Sequence, residues 1–358
     1  MLTGNKTLML IPQTFNNSNQ KIMINFTDAN SVNHTLTYVL NGSSWGRGQS
    51  ITYTVTMLGI KKKYLRNPLW YMAETNVKSY NSSTKVVTLE ASATTAGSKT
   101  CYNWTTAMAY FAANHTATQY DGYQEGDIKD NVSSVFTYHL PTLKEFASII
   151  GFNNDANLFS SDITSSTVLN NGTNNICRFG YSNATKNSDV RDISFWSTTA
   201  TNLRYAIRFL DTNYCSVWKY QLNTSTGLLT ISSRIIDMIS SSNTTLLNTT
   251  MATITSAADS YWSEDAVNGI IQRNIYLVGY YAGTGDGANR GGNGIADMGD
   301  KAAAYYWTTT DTFQGGTQYS STGSSPSYLG FSSNMLKLRS ADPGYFWGYP
   351  IRLFRVVK

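Results

Sequence analysis

The side chains able to do chemistry are few and scattered. The histidines are His34, His115 and His139. A Ser–His–Asp relay needs one of them within hydrogen-bond reach of a nucleophile and an orienting carboxylate. No GxSxG elbow is present to build such a relay. Carboxylates for glycosidic cleavage would have to come from 22 acidic residues, and no pair at a telling spacing stands out. Cys101, Cys177 and Cys215 are an odd number without CxxC or Cys/His ligand spacing, which argues against structural zinc. They read as buried thiols, with one disulfide plus a free thiol as the alternative in an oxidising compartment. The stretch AGTGDGANRGGNGIAD invites a phosphate-binding reading, but no helical pattern follows it. Its Asp286 and Asp297, with Asp300, offer oxygens suited to Ca²⁺. A Gly-rich surface loop is the plainer reading, and the sequence calls for no cofactor.

The remaining candidates are aromatic. Tyr305, Tyr306, Trp307, Tyr319, Tyr328, Tyr345, Phe346, Trp347 and Tyr349 crowd the C-terminal part of the chain among Ser, Thr, Gly and Asp. Tyrosine offers large contact area at low entropy cost, so this mixture suits a recognition surface. Trp307 is expected in the core, because large aromatics are mostly buried. Tyr319, Tyr328, Tyr345, Phe346 and Tyr349 are the expected ligand-binding residues.

Elements must hold these side chains in place. KIMINFT, HTLTYVL and ITYTVTM alternate apolar and polar residues near the start, the period of a half-buried antiparallel sheet. GIKKKYLRN reads as a linker with a solvated lysine run. Trp104, Ala107, Met108 and Phe111 share one helical face behind Asn103 as cap. Thr142 and Glu145 form a capping box for a second helix, which Gly151 is placed to end. YAIRFL, SVWKYQL, LLTISSRII and NIYLVGYY are strands, and the Thr-rich region 243–257 also looks strand-like. In the C-terminal segment Ile351, Leu353 and Arg355 alternate with Arg352, Phe354 and Val356. FWSTTA and YYWTTT echo one another, each leading into a β run.

The charged fraction is 14%, aromatics reach 13% and the net charge is +5 over 358 residues. A nucleic-acid binder would show a basic stripe with interleaved aromatics, and none is present. No stretch is apolar for long enough to span a membrane. MLTGNKTLMLIPQ carries no cleavage pattern, so the native N-terminus with its signal is expected to lie outside this sequence.

The ordered motifs NPLWYMAETNV, YHLPTLKEF, YYWTTT and YPIRLFRVVK resemble the Fibrobacter-type major paralogous domain, a C-type-lectin-like fold. The strands of the first part, with Trp45, Gly46 and Gly48 before the last, resemble the C-terminal part of a Bacteroides-type fimbrillin. Together the resemblances imply an α+β chain: a truncated fimbrillin-like β-sandwich portion over 1–59, a linker over 60–66, and a C-type-lectin-like domain over 67–358. That domain would carry two helices and a twisted, loop-rich antiparallel sheet, with its terminal strands paired and PIRLFRVV therefore buried. The EPN or QPD triplet that lectins use for calcium-dependent sugar binding is absent, and no cysteine beyond Cys215 could serve the oxidase chemistry of the same broad fold. The implied function is a non-catalytic cell-surface adhesion protein, a fimbrial tip or minor pilus subunit, partnered by other fimbrial subunits and by a surface glycan or protein. A lipoprotein signal would precede it. The alternatives are a receptor-binding protein diversified by a retroelement and an enzyme acting on surface polysaccharide.

Overall fold

The computed structural model divides the chain into two compact units, Met1–Met57 and Leu58–Lys358. It describes residues 13–14, 16, 21–27, 33–39 and 44–45 of the first unit. In the second it describes 64–95, 97, 100–112, 128–130, 136–151, 158–159, 168–169, 176–179, 188–200, 202–266, 269–280, 303–311, 326–332, 335–339 and 347–357. The first unit contains β1 (Gln13–Thr14), β2 (Lys21–Thr27), β3 (Asn33–Val39) and β4 (Ser44–Trp45). β2 and β3 pair antiparallel, setting Ile22 opposite Tyr38 and Ile24 opposite Leu36. The alternating apolar residues are therefore cross-strand partners, the unit of sheet stabilisation. Met23, on the other parity, is 53% exposed. The expected strand ITYTVTM lies outside the described residues.

In the second unit the order is β5 (Val77–Asn81), β6 (Val86–Leu89), α1 (Trp104–Phe111), β7 (Ile128–Asp130), β8 (Phe136–His139) and α2 (Leu143–Ile150). Next come β9 (Val168–Leu169), β10 (Ile176–Phe179), β11 (Ser188–Arg191), β12 (Ser194–Ala200), β13 (Leu203–Arg208), β14 (Ser216–Asn223) and β15 (Leu228–Ile235). α3 (Thr244–Ser256), β16 (Ile270–Tyr276), β17 (Ala303–Asp311), β18 (Pro326–Ser332), β19 (Met335–Arg339) and β20 (Phe354–Val357) complete it. The fold class is α+β with mostly antiparallel sheets. Among the described strands the larger sheets run β20-β8-β7-β6-β5, β16-β15-β14-β13-β12-β9 and β17-β18-β19. Among the described residues no helix is long and apolar enough to cross a membrane.

Local chemistry explains the helices. Asn103 accepts the Thr106 amide to start α1, which buries Trp104, Ala107, Met108 and Phe111. The capping box of α2 forms as its sequence dictates: Thr142 takes the Glu145 amide and the Glu145 carboxylate takes the Thr142 amide. Gly151 ends that helix at φ 81, a left-handed conformation natural to glycine.

Two expectations need correcting. The Thr-rich stretch is helix α3, not strand. Asn243 caps it, and Leu247, Met251 and Ile254 supply its buried stripe. Its β-branched threonines are accommodated because Thr249, Thr253 and Thr255 donate their hydroxyls to carbonyls four residues back. Residues 64–66 are not free linker. Tyr64 packs on Trp70 with centroids 4.5 Å apart, and Arg66 donates to the Asn213 carbonyl. The C-terminal segment is buried as expected, from Ile351 through Val356, and on both of its alternating sides. Phe354 joins one apolar cluster with Phe146 and Trp218, whereas Ile351 and Leu353 join another with Trp104 and Trp307. The segment runs between two cores, so neither of its sides is wet.

Candidate functional site

The four sequence motifs converge, and they converge on one another. Asn67 caps the short 3-10 turn Pro68–Tyr71 and donates to the carbonyls of Ser233 and Gly269. The amides of Ala73 and Val77 donate to the carbonyls of Leu353 and Ile351, tying the start of the second unit to its end. Thr309 donates to the Pro141 carbonyl, and Thr310 Oγ1 accepts the Leu143 amide. Trp104 Nε1 donates to the Thr308 carbonyl and Trp307 Nε1 to that of Tyr102, each at 2.8 Å. Each polar group so held is buried, where an unmade bond is expensive. The motifs are thus a mutual lock.

This placement overturns part of the expected binding face. Tyr328 and Tyr349 are 2% and 0% exposed. Tyr349 stacks on Trp307 at 4.0 Å, and Tyr328 meets both rings. The β17–β18 register sets Trp307 opposite Tyr328, so the rings fill the core beside α1. Trp307 lies in that core as expected. Tyr280, Tyr305 and Trp347 are half-buried at its margin, with Tyr280 stacked on Trp347 at 5.6 Å. Tyr319, Tyr345, Phe346, Asp286, Asp297, Asp300 and His115 lie outside the described residues.

The buried ionisable groups serve the framework. His139 Nε2 and Glu145 Oε1 share a hydrogen bond of 2.8 Å, while Glu145 Oε2 accepts the Thr142 amide. Both carboxylate oxygens are committed to the strand-to-helix turn. Arg208 lies against Asp192 at 2.8 Å and donates to the carbonyls of Ala147 and Ile149 at the end of α2, the favourable place for a cation on a helix. Burial opposes its charge, but Asp192, Tyr220 and Cys177 together outweigh burial and hold the guanidinium protonated. Arg352 donates to the carbonyls of Ala73, Glu74 and Asn274. Arg355 pairs with Glu74 at 2.8 Å, and Arg273 pairs with Glu264 at 3.2 Å. Burial, with Arg355 nearby, pushes the Arg273 pKa down to about 10. Cys101, Cys177 and Cys215 are buried thiols outside any disulfide.

The open site lies elsewhere, on the outer face of the six-stranded sheet. β14 alternates Trp218, Tyr220 and Leu222 inward with Lys219 and Gln221 outward. The pairing then builds rows across strands. Tyr205, Lys219, Ser232 and Gln272 form one row, and Leu203, Gln221, Thr230 and Asn274 the next. Within them Gln272 donates to Ser232 Oγ and Thr230 donates to Asn274 Oδ1. One wall is the 3-10 turn Asp259–Trp262, continued by Ser263 and Glu264. Together these residues enclose a cleft of about 330 Å³, at the lower end of ligand-pocket sizes (about 300–1,000 Å³). Its charges are matched: Lys219 faces Asp259 at 3.5 Å, and Glu264 faces Arg273. What remains is a set of amides and hydroxyls able both to donate and to accept. Sequence reading missed this site. The signal available was the period-two polar parity of β14, β15 and β16; the wall residues, distant in sequence, gave none.

Among the described residues no group of His, Cys, Asp and Glu is arranged to hold a metal ion. No curated protein matches this chain, and no solved structure does. Residues 65–354, which run from just before the first 3-10 turn to the first residue of β20, match the family described as Domain of unknown function (DUF8237), and the chain belongs to that family.

Proposed function

We propose that this chain is a ligand-presenting subunit of a cell-surface adhesion apparatus, a fimbrial tip or minor pilus protein exposed outside the cell. In this reading the fimbrillin-like strands of the first unit join it to other subunits, and the second unit is a C-type-lectin-like platform. Short capped helices α1 and α2 and the joining of Met72–Val77 to the C-terminal segment support that likeness. The observation that carries the function is the division of labour in the second unit. Its aromatic motifs and arginines lock the interior, while the open concave surface is lined by uncharged hydrogen-bonding groups and matched ion pairs. A rigid scaffold holding a polar recognition surface is how binding modules are built.

At this cleft an enzyme acting on polysaccharide would have to use Asp259 and Glu264. Asp259 is fully exposed and Glu264 is paired with Arg273, so neither has the apolar surroundings that turn a carboxyl into a general acid. The test is adhesion by the intact protein. Beads carrying the full chain should attach to epithelial cells, mucin or bacterial surfaces above uncoated beads, and antibody should label it on intact producing cells. Beads that attach to none of these, or label found only inside cells, would refute the proposal.

A further inference from the structure

The adhesion reading names no ligand chemistry, and the cleft on the outer sheet face supplies one. We propose that it binds a neutral polyhydroxylated chain, that is, an uncharged glycan; the inference rests on the adhesion reading only for its biological setting. The first argument is charge. The cations and anions at the cleft are already paired with each other, Lys219 with Asp259 and Glu264 with Arg273. An anionic ligand would have to take Lys219 from Asp259 or Arg273 from Glu264, and would then face those two carboxylates without their partners. A neutral ligand leaves them intact.

The second argument is the donor and acceptor pattern. Gln221, Thr230, Ser232 and Gln272 stand on adjacent strands in register. Neighbouring rows therefore repeat at the strand spacing of about 4.7–4.9 Å across the sheet and at about twice the residue rise along it. A hydroxylated chain presents groups that donate and accept at regular intervals, and such a grid matches it. The third argument is Trp262. It lines the cleft, is 3% exposed, and its indole Nε1 is buried without a hydrogen-bond acceptor. Buried polar groups are normally satisfied, and a ligand hydroxyl oxygen would give this donor its partner.

The experiment is binding of the full chain to neutral gluco-, manno-, galacto- and xylo-oligosaccharides, with heparin and polygalacturonate as anionic probes. Calorimetry should detect at least one neutral oligosaccharide. Gln221→Ala with Gln272→Ala should weaken it tenfold or more, and 0.5 M salt should change it less than twofold, as expected where no net charge is exchanged (about 3 Å Debye length near 1 M). Gln221→Ala alone, at an exposed position, keeps the test available should the double variant fold poorly. Binding of anionic probes only, neutral binding indifferent to Gln221→Ala, or no neutral binding at millimolar concentration would overturn the inference. Adhesion that persists in Gln221→Ala while no neutral glycan binds overturns the ligand and spares the adhesion proposal. Neutral glycan binding at the cleft by a protein that coats no cell does the reverse.

Discussion

Replacing Arg208 by methionine probes how the second unit is held together. The guanidinium is 0% exposed. It reaches Asp192 through Nε at 3.2 Å and Nη2 at 2.8 Å, Ile149 O at 2.6 Å, Ala147 O at 2.8 Å and Tyr220 Oη at 3.1 Å. It also lies 4.8 Å from the Trp218 ring centroid. Arg208→Met keeps much of the stem volume but strands the Asp192 carboxylate, whose side chain is 1% exposed. Breaking one partner of a buried pair costs about 3–5 kcal/mol. That is a large share of a typical domain stability of about 5–15 kcal/mol. The assay is urea unfolding of the full chain followed by tryptophan fluorescence, for which Trp196 and Trp218 stand beside the pair, stacked on Tyr220. The double variant Arg208→Met, Asp192→Leu removes both charges, and should recover most of the loss. A single variant losing under about 1 kcal/mol would refute the reasoning. So would a double variant no better than the single, because the penalty would then not be an uncompensated charge.

Other perturbations follow from the same framework. Gly151→Ala places a Cβ 3.0 Å from Trp196 Cζ2 and 3.1 Å from Arg208 Cζ at φ 81. The left-handed backbone alone costs about 1–2 kcal/mol, so a melting temperature unchanged from the parent would contradict the geometry. Burial pushes the Cys215 thiol up to about 11, and all three cysteines are buried. An aromatic disulfide reagent should find no fast thiol in the native protein and three after unfolding; a fast native reaction would show an open thiolate. Burial alone would raise the Glu74 carboxyl, but Arg355, with Arg273 and Arg352, outweighs it and holds the pKa below 4.5. A carboxyl lower in the folded than in the unfolded state contributes stability above about pH 4.5 that fades as pH falls through its folded value. The stability difference between the parent and Glu74→Gln should therefore shrink on acidification; a difference constant from pH 7 to pH 3 would rule this out.

Much of the local structure was legible. The capping box at Thr142 and Glu145, the stop at Gly151 and the face of α1 each depend on residues within one or two turns, and they formed as written. Where packing from both sides took over, the sequence misled. Nothing local in the sequence shows what holds Arg352 and Arg355 in their buried segment, where they donate to backbone carbonyls and to Glu74. The threonines of α3 favour strands by intrinsic preference, while the spacing of Leu247, Met251 and Ile254 favours helix; the apolar stripe wins because burial outweighs propensity. Tyr328 and Tyr349 looked like a binding face because tyrosine composition is the same whether rings face solvent or pack on Trp307.

The walls of the cleft could not have been read from sequence, because its opening is set by the extent of one helix. On the outer face of the sheet, Phe195, Ile207 and Val217 form an apolar row continued by Arg234 and Ile270. Leu247, Met251 and Ile254 of α3 pack with the first three of these, and the Arg234 guanidinium covers the Tyr261 ring at 4.4 Å. The next row changes character from Tyr205 to Lys219, Ser232 and Gln272. Had α3 been a strand, as its threonines suggested, that apolar row would have had no helical stripe to cover it, and an exposed apolar strip beside a polar one invites association. The helix instead covers the apolar part and leaves the polar part open, with the Asp259–Trp262 turn as its boundary. The position of the cleft is thus fixed by where the outward parity of the sheet turns from apolar to polar. A charge or a leucine placed at Gln221 or Gln272 should therefore alter binding without disturbing the core, because neither side chain contributes to it.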